Sequence, residues 1–190
     1  MSSSTISPTT ATREGTTITV SRAGGVAIAV LRVSLGFVFL WAFLDKTFGL
    51  NYSTPSERSW INGGSPTKGF LASVDFGPFQ SFFNNIAGTW WANLLFMAGL
   101  LAIGLALILG IGLRIAAIAT TLMMAFMWAA EWPLAQFTST GDKTGSSNPL
   151  TDYHWIYALA AIVLAVVSAG RFFGLGDWWA KVTNNHAWLR

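Results

Sequence analysis

The side chains with chemistry to offer in this chain are Trp41, Asp45 and Lys46, then Trp128 and Glu131, then Asp152, His154 and Tyr157. Each group lies at one end of a long apolar run. If those runs are successive antiparallel helices, all three ends meet at one level. His154 and Tyr157 are three apart and share a helical face. Lys46, Glu131 and His154 are the candidates for catalysis and proton transfer; Trp41, Asp45, Trp128, Asp152 and Tyr157 are the candidates for holding a cofactor. Lys46 paired with Glu131 would leave Asp45 or Asp152 to orient His154. A quinone needs such a set: flat apolar walls for its ring, hydrogen-bond donors at its two carbonyls, and a carboxylate or imidazole to exchange protons on reduction. Aromatic belts also place Trp and Tyr at a membrane surface without any ligand, so interface anchoring with ion-pair stapling is the competing reading.

The elements that must position these residues are four nearly uncharged runs, about Val26–Leu44, Trp91–Gly112, Ile115–Ala130 and Trp155–Gly170. Hydrophobic residues make up 53% of the 190-residue chain and charged ones 10%, too little polar surface to hide four apolar helices from water. The expected fold is all-α: an integral membrane, up-and-down four-helix bundle over residues 23–179. At 1.5 Å per residue the third and fourth runs span only about 24 Å of a hydrocarbon core of about 30 Å, so their bounding charges must snorkel or lie against protein. Stripes of small residues, Ala98, Ala102, Ala106 and Gly110, then Ala117, Thr121, Ala125 and Ala129, predict where helices meet. Between the first two runs, Pro78 opens a segment with Phe79, Phe82, Phe83 and Ile86 at helical spacing, which predicts an amphipathic cap helix on the outer face.

Charge placement orients the chain. The termini and the Gly110–Arg114 turn share a face carrying Arg13, Arg22, Arg114, Arg171, Lys181 and Arg190 against Glu14 and Asp177. The positive-inside rule then predicts four spans in the plasma membrane with both termini cytoplasmic. Residues 1–22, rich in Ser and Thr, read as a flexible tail, and 180–190 as a second one. No cleavable signal peptide is evident. The chain has no Cys, which excludes disulfides, Cys-ligated iron–sulfur clusters and c-type haem attachment in this subunit, and no haem or metal site stands out. A net charge of +3 without a basic stripe gives a nucleic-acid reading nothing to rest on.

Arg32 lies about two turns inside the first run, where an unpaired Arg costs roughly 2.5–3.5 kcal/mol even on insertion scales. Antiparallel order brings it level with the end of the fourth run, which predicts a structural ion pair with Asp177.

Arg32-Val33-Ser34-Leu35-Gly36 followed by Asp45-Lys46, the run from Gly104 to Gly110 leading to Arg114, and the closing stretch from Gly170 to Asp177 resemble the DoxX/DoxD family of small membrane proteins over roughly residues 26–179. Asn148-Pro149-Leu150 before His154 is similar to members with a longer last outer loop. The resemblance implies a quinone-associated redox subunit like the membrane subunit of thiosulfate:quinone oxidoreductase, working with other membrane or peripheral redox proteins. It also implies Arg32 and Asp177 as terminal polar marks. Relatives often carry a Glu in the second span, where this chain has Phe96-Met97-Ala98-Gly99. The alternative from another class is a non-catalytic structural or assembly subunit of a membrane complex.

Overall fold

A computed structural model describes residues 9–13 and 16–189. Residues 1–8, 14–15 and 190 lie outside the description, and with them Glu14, Arg190 and part of the predicted N-terminal tail. The rest of that tail is an antiparallel hairpin, β1 (Thr9–Arg13) on β2 (Thr16–Val20), with Thr9 opposite Val20 and Arg13 opposite Thr16. The low hydropathy that suggests a tail comes largely from threonines, which are β-branched and favour extended backbone.

The remainder is helical. α1 (Arg22–Phe48), α4 (Trp90–Leu109) and α5 (Leu113–Glu131) are each long and apolar enough to cross a bilayer. α6 (Tyr153–Val166) is apolar but has 14 residues, a rise of about 21 Å. It stops at Ser168, whose φ of 53° breaks the helix before a short 3₁₀ turn at Ala169–Arg171. Three short α-helices, α2 (Lys68–Ala72), α3 (Gln80–Ile86) and α7 (Gly176–Val182), join them, with 3₁₀ turns at Ser56–Arg58, Trp60–Asn62 and Ala187–Leu189.

α1 packs chiefly on α4 and α5 on α6, with α4 on α5 and α1 on α6 closing the set. The core they share contains Leu35 and Phe39 of α1, Met97, Ile103 and Leu107 of α4, Met124 of α5 and Leu164 of α6. Val30, Leu95, Ile118, Phe126 and Val163 point outward and stay exposed, as helices that face lipid require. Of the predicted stripe Ala98, Ala102, Ala106 and Gly110, the first two face outward, Ala106 is half-buried, and Gly110 alone is buried, against Gly170 and Arg32. Between α1 and α4 the close approach is made at Gly104 and Gly36. A Cβ on Gly104 would stand 2.8 Å from the Leu40 backbone nitrogen, and one on Gly36 2.9 Å from that of Ile108.

Two loop segments fold over the ends of α4 and α5. α3 forms where the spacing of Phe79, Phe82, Phe83 and Ile86 places it, but only Phe83 is buried, against Val74 and Ala130. Phe79 and Phe82 remain exposed. Asn93, the one polar residue of α4, ties the preceding loop down: its Oδ1 accepts from Thr67 N at 3.1 Å, Thr67 Oγ1 at 2.7 Å and Ser65 Oγ at 3.1 Å. The predicted C-terminal tail is also structured in part. α7 runs to Val182, and Trp188 lines a groove with Arg114 on α5 and Ile162 on α6.

Arg32 is fully buried, but it does not pair with Asp177. Its Nη1 donates to the carbonyls of Leu107 at 2.6 Å and Ile108 at 2.7 Å, and its Nη2 to those of Phe173 at 3.2 Å and Phe172 at 3.4 Å. Asp177 pairs with Arg171 at 3.1 Å near the surface. The reason lies in what a helix end leaves unsatisfied. The last four carbonyls of α4 have no partner within their own helix. The Ala106 carbonyl accepts from Gly110 N and Ile111 N, and that of Leu109 from Leu175 N at 2.8 Å. Leu107 and Ile108 are the two left over, and Arg32 fills both. The same carbonyls carry the negative end of the α4 dipole, a diffuse counter-charge that a guanidinium matches without a carboxylate.

Candidate functional site

α1 and α5 end, and α4 and α6 begin, at the face opposite this Arg32 lock. α6 starts with Asp152 as its N-cap, the carboxylate accepting from His154 N at 3.0 Å through Oδ1. Its other oxygen lies 2.9 Å from His154 Nδ1. Asp152 therefore does two things, ending the loop and fixing the imidazole. A carboxylate only accepts, so Nδ1 carries the proton, and in the neutral imidazole Nε2 presents a lone pair. His154 is 1% exposed, and its Nε2 has no hydrogen-bond partner. The group facing it is Glu131 at the end of α5, with Oε1 3.9 Å away, too far for a hydrogen bond. The same Oε1 accepts from Tyr153 Oη at 2.8 Å.

Glu131 also helps line a cavity of about 440 Å³ between α1, α4, α5 and the loop helices. Its walls are apolar, with Phe70, Phe83, Trp91, Phe96, Met123 and Met127 among them, and its only charged residues are Lys46 and Glu131. The predicted Lys46–Glu131 ion pair does not form among the described residues. Both flank the cavity, but Glu131 Oε1 is engaged by Tyr153.

The other predicted residues divide. Tyr157 packs edge-on against Phe39 and Tyr153, inside the cluster. Trp128 packs against Trp132 and Trp155, and its buried indole N–H has no acceptor. Trp41 stands apart, its ring against Phe37 and Tyr52. Asp45 is turned away from His154 and spent on the loop: it accepts from Tyr52 N at 3.2 Å, Ser53 N at 3.1 Å and Ser53 Oγ at 2.7 Å. Among the described residues, no group of three or more His, Asp or Glu is arranged to hold a metal ion.

The DoxX family model matches residues 27–132, more than half of the chain. The chain belongs to the DoxX family. The matched segment holds Arg32, the Gly104–Gly110 run and Glu131, while the Gly170–Asp177 stretch and His154 lie beyond it. No curated protein and no solved structure matches the chain.

Sequence reasoning missed Tyr153 and Asn93 in this DoxX protein. Asn93 had a usable signal, a lone polar side chain in the first turn of an apolar run. Tyr153 had none, because its neighbour His154 offers the better proton chemistry. Replacing Asp152 with Ala removes a cap worth about 1 kcal/mol and frees the imidazole to turn. The expected result is a melting temperature lower by about 3 °C and loss of the single Nδ1–H tautomer in imidazole nitrogen NMR spectra.

Proposed function

We propose that this DoxX protein is a quinone-associated membrane redox subunit that acts with partner proteins, in the manner of the membrane subunit of thiosulfate:quinone oxidoreductase. The observation that supports it is the cavity: aromatic and methionine walls around a space of about 440 Å³, with Lys46 and Glu131 as the two charged groups at hand. Aromatic faces and polarizable thioethers suit a flat ring. The buried Nε2 of His154, without a partner and facing Glu131, is the kind of orphan polar atom that a site rather than a core retains. A quinone bound there supplies two-electron, two-proton chemistry at the membrane surface. Lys46 would donate a hydrogen bond to such a group and Glu131 would exchange protons with it, while Asp152 holds His154 in one tautomer. The loop face carries more acids than bases, so an anionic donor such as thiosulfate binds on a partner subunit. In the same reading α6 and the Ala169–Arg171 turn together make the fourth span of a plasma-membrane protein whose termini are cytoplasmic.

A non-catalytic assembly subunit is the second reading, favoured by the way Arg32 and Asp45 are both consumed by internal hydrogen bonds. Extraction in mild detergent with native associates separates the two. Stoichiometric bound quinone together with a redox partner is the expected result; a stable complex without quinone overturns the redox reading. Met127→Trp fills the cavity from α5 and is expected to weaken quinone retention at least about tenfold, equivalent to ~1.4 kcal/mol, with the melting temperature held as the control. Unchanged retention would place the quinone elsewhere.

A further inference from the structure

Glu131 belongs to two cavities. One is the apolar cavity with Lys46. The other is a crevice of about 440 Å³ under the α5–α6 loop, lined by Thr144, Ser146, Ser147 and Asn148 together with Asp152 and Tyr153. The first is walled almost wholly by apolar side chains, whereas the second mixes the hydroxyls and amide of the loop with Val74, Phe76 and Pro133. Phe70 lines both as well.

We propose that Glu131 is the proton gate between these two spaces, so that an occupant of the apolar cavity exchanges its protons with water on the loop face. This rests on the reading of that cavity as a quinone site.

The groups facing the gate are few. From α6 and its N-cap come Asp152, Tyr153 and His154, with Tyr157 behind Tyr153, and from α1 comes Lys46. Asp75, in the loop after α2, is turned to Ser139 and takes no part. Lys46 is on the apolar side alone and Asp152 on the crevice side alone, which leaves Glu131 as the titratable group common to both. Its carboxylate is about one-third exposed, held by the Tyr153 hydroxyl, and 3.9 Å from the His154 lone pair. A proton leaving a hydroxyl in the apolar cavity passes to the Glu131 carboxylate. A small side-chain rotation then shares it with His154 Nε2 or releases it to water in the crevice. No electron moves in this step, and the reverse sequence delivers a proton inward. His154 serves as a positioning and holding group, since its burial removes it from direct contact with the crevice.

The test uses the full chain in detergent with an alkyl-tailed hydroxynaphthoquinone, whose colour reports loss of its hydroxyl proton. After a pH jump in a stopped-flow cell, the bound probe changes colour quickly in the wild-type protein. Glu131→Gln keeps the shape of the side chain and is expected to slow that change about a hundredfold, the usual weight of one proton-transfer group. Glu131→Asp restores most of the rate. Ser147→Trp, which plugs the crevice and leaves the carboxylate in place, slows it as well. A probe that binds stoichiometrically and exchanges at the same rate in wild type, Glu131→Gln and Ser147→Trp overturns the gate and leaves the cavity reading intact. A probe that fails to bind the wild-type protein overturns the cavity reading and the gate with it.

Discussion

Arg32→Leu is expected to lower the melting temperature of the detergent-solubilised protein by about 10 °C, or to prevent its recovery in folded form. The substitution leaves four carbonyls without their charged donor, the buried bonds to Leu107 and Phe172 and the part-buried ones to Ile108 and Phe173. Each buried acceptor left without a donor costs about 1–3 kcal/mol, and a domain of this size loses about 2–4 °C for each kcal/mol. Leu fills most of the space the arginine stem occupies, so the effect isolates the polar loss. Arg32→Lys is the informative companion. It keeps the charge, but one ammonium cannot serve two pairs of carbonyls that a planar guanidinium reaches from separate nitrogens. An intermediate loss is expected for Lys, measured by thermal aggregation or calorimetry. A melting temperature for Arg32→Leu within a degree of wild type would remove Arg32 from the architecture altogether.

Gly170→Ala is expected to be nearly as damaging, although it adds a single methyl group. A Cβ at Gly170 would overlap the carbonyl oxygen of Gly110 and lie 2.9 Å from its carbon and 3.3 Å from the Cα of Gly176. All three atoms are backbone, so no flexible side chain can yield. The 3₁₀ turn must move away from the end of α4, which carries Phe172 and Phe173 out of reach of Arg32 Nη2. Overpacking of this kind costs roughly 3 kcal/mol, a fall of several degrees. Because both substitutions break one lock, adding Gly170→Ala to Arg32→Leu costs much less than it does alone. Strict additivity in that double mutant would show that the turn and the arginine are independent.

The collar explains why motifs far apart in the chain belong together. Gly110 is the C-cap of α4 with φ of 74°, and a Cβ there would come within 2.7 Å of Arg32 Nη1. Gly174 approaches Nη2 in the same way. The Arg32 segment, the Gly104–Gly110 run and the Gly170–Asp177 stretch, which carry the family resemblance in sequence, therefore close around one guanidinium. Their spacing along the chain suggested an ion pair because a buried arginine invites a carboxylate. A helix end offers carbonyls that are less visible in a sequence, since every residue has one.

The apolar runs by themselves determined the three helices long enough to cross a membrane, because burial in lipid depends on composition over about twenty residues and hardly on context, while the fourth run folds as the shorter α6. The spacing of Phe79, Phe82, Phe83 and Ile86 likewise placed α3, and antiparallel order brought Glu131 and His154 to one level. Tertiary structure decided what pairwise chemistry followed. A carboxylate can accept from any donor that its backbone brings near, so only the folded loops show Asp45 holding Tyr52 and Ser53 while Asp152 takes His154. Only packing shows Lys46 and Glu131 flanking a cavity instead of pairing, and Glu131 opening to a second space beneath a loop that has no periodicity to read. Period and hydropathy are properties of a segment; the direction of a side chain and the space in front of it are set by neighbours distant in the chain.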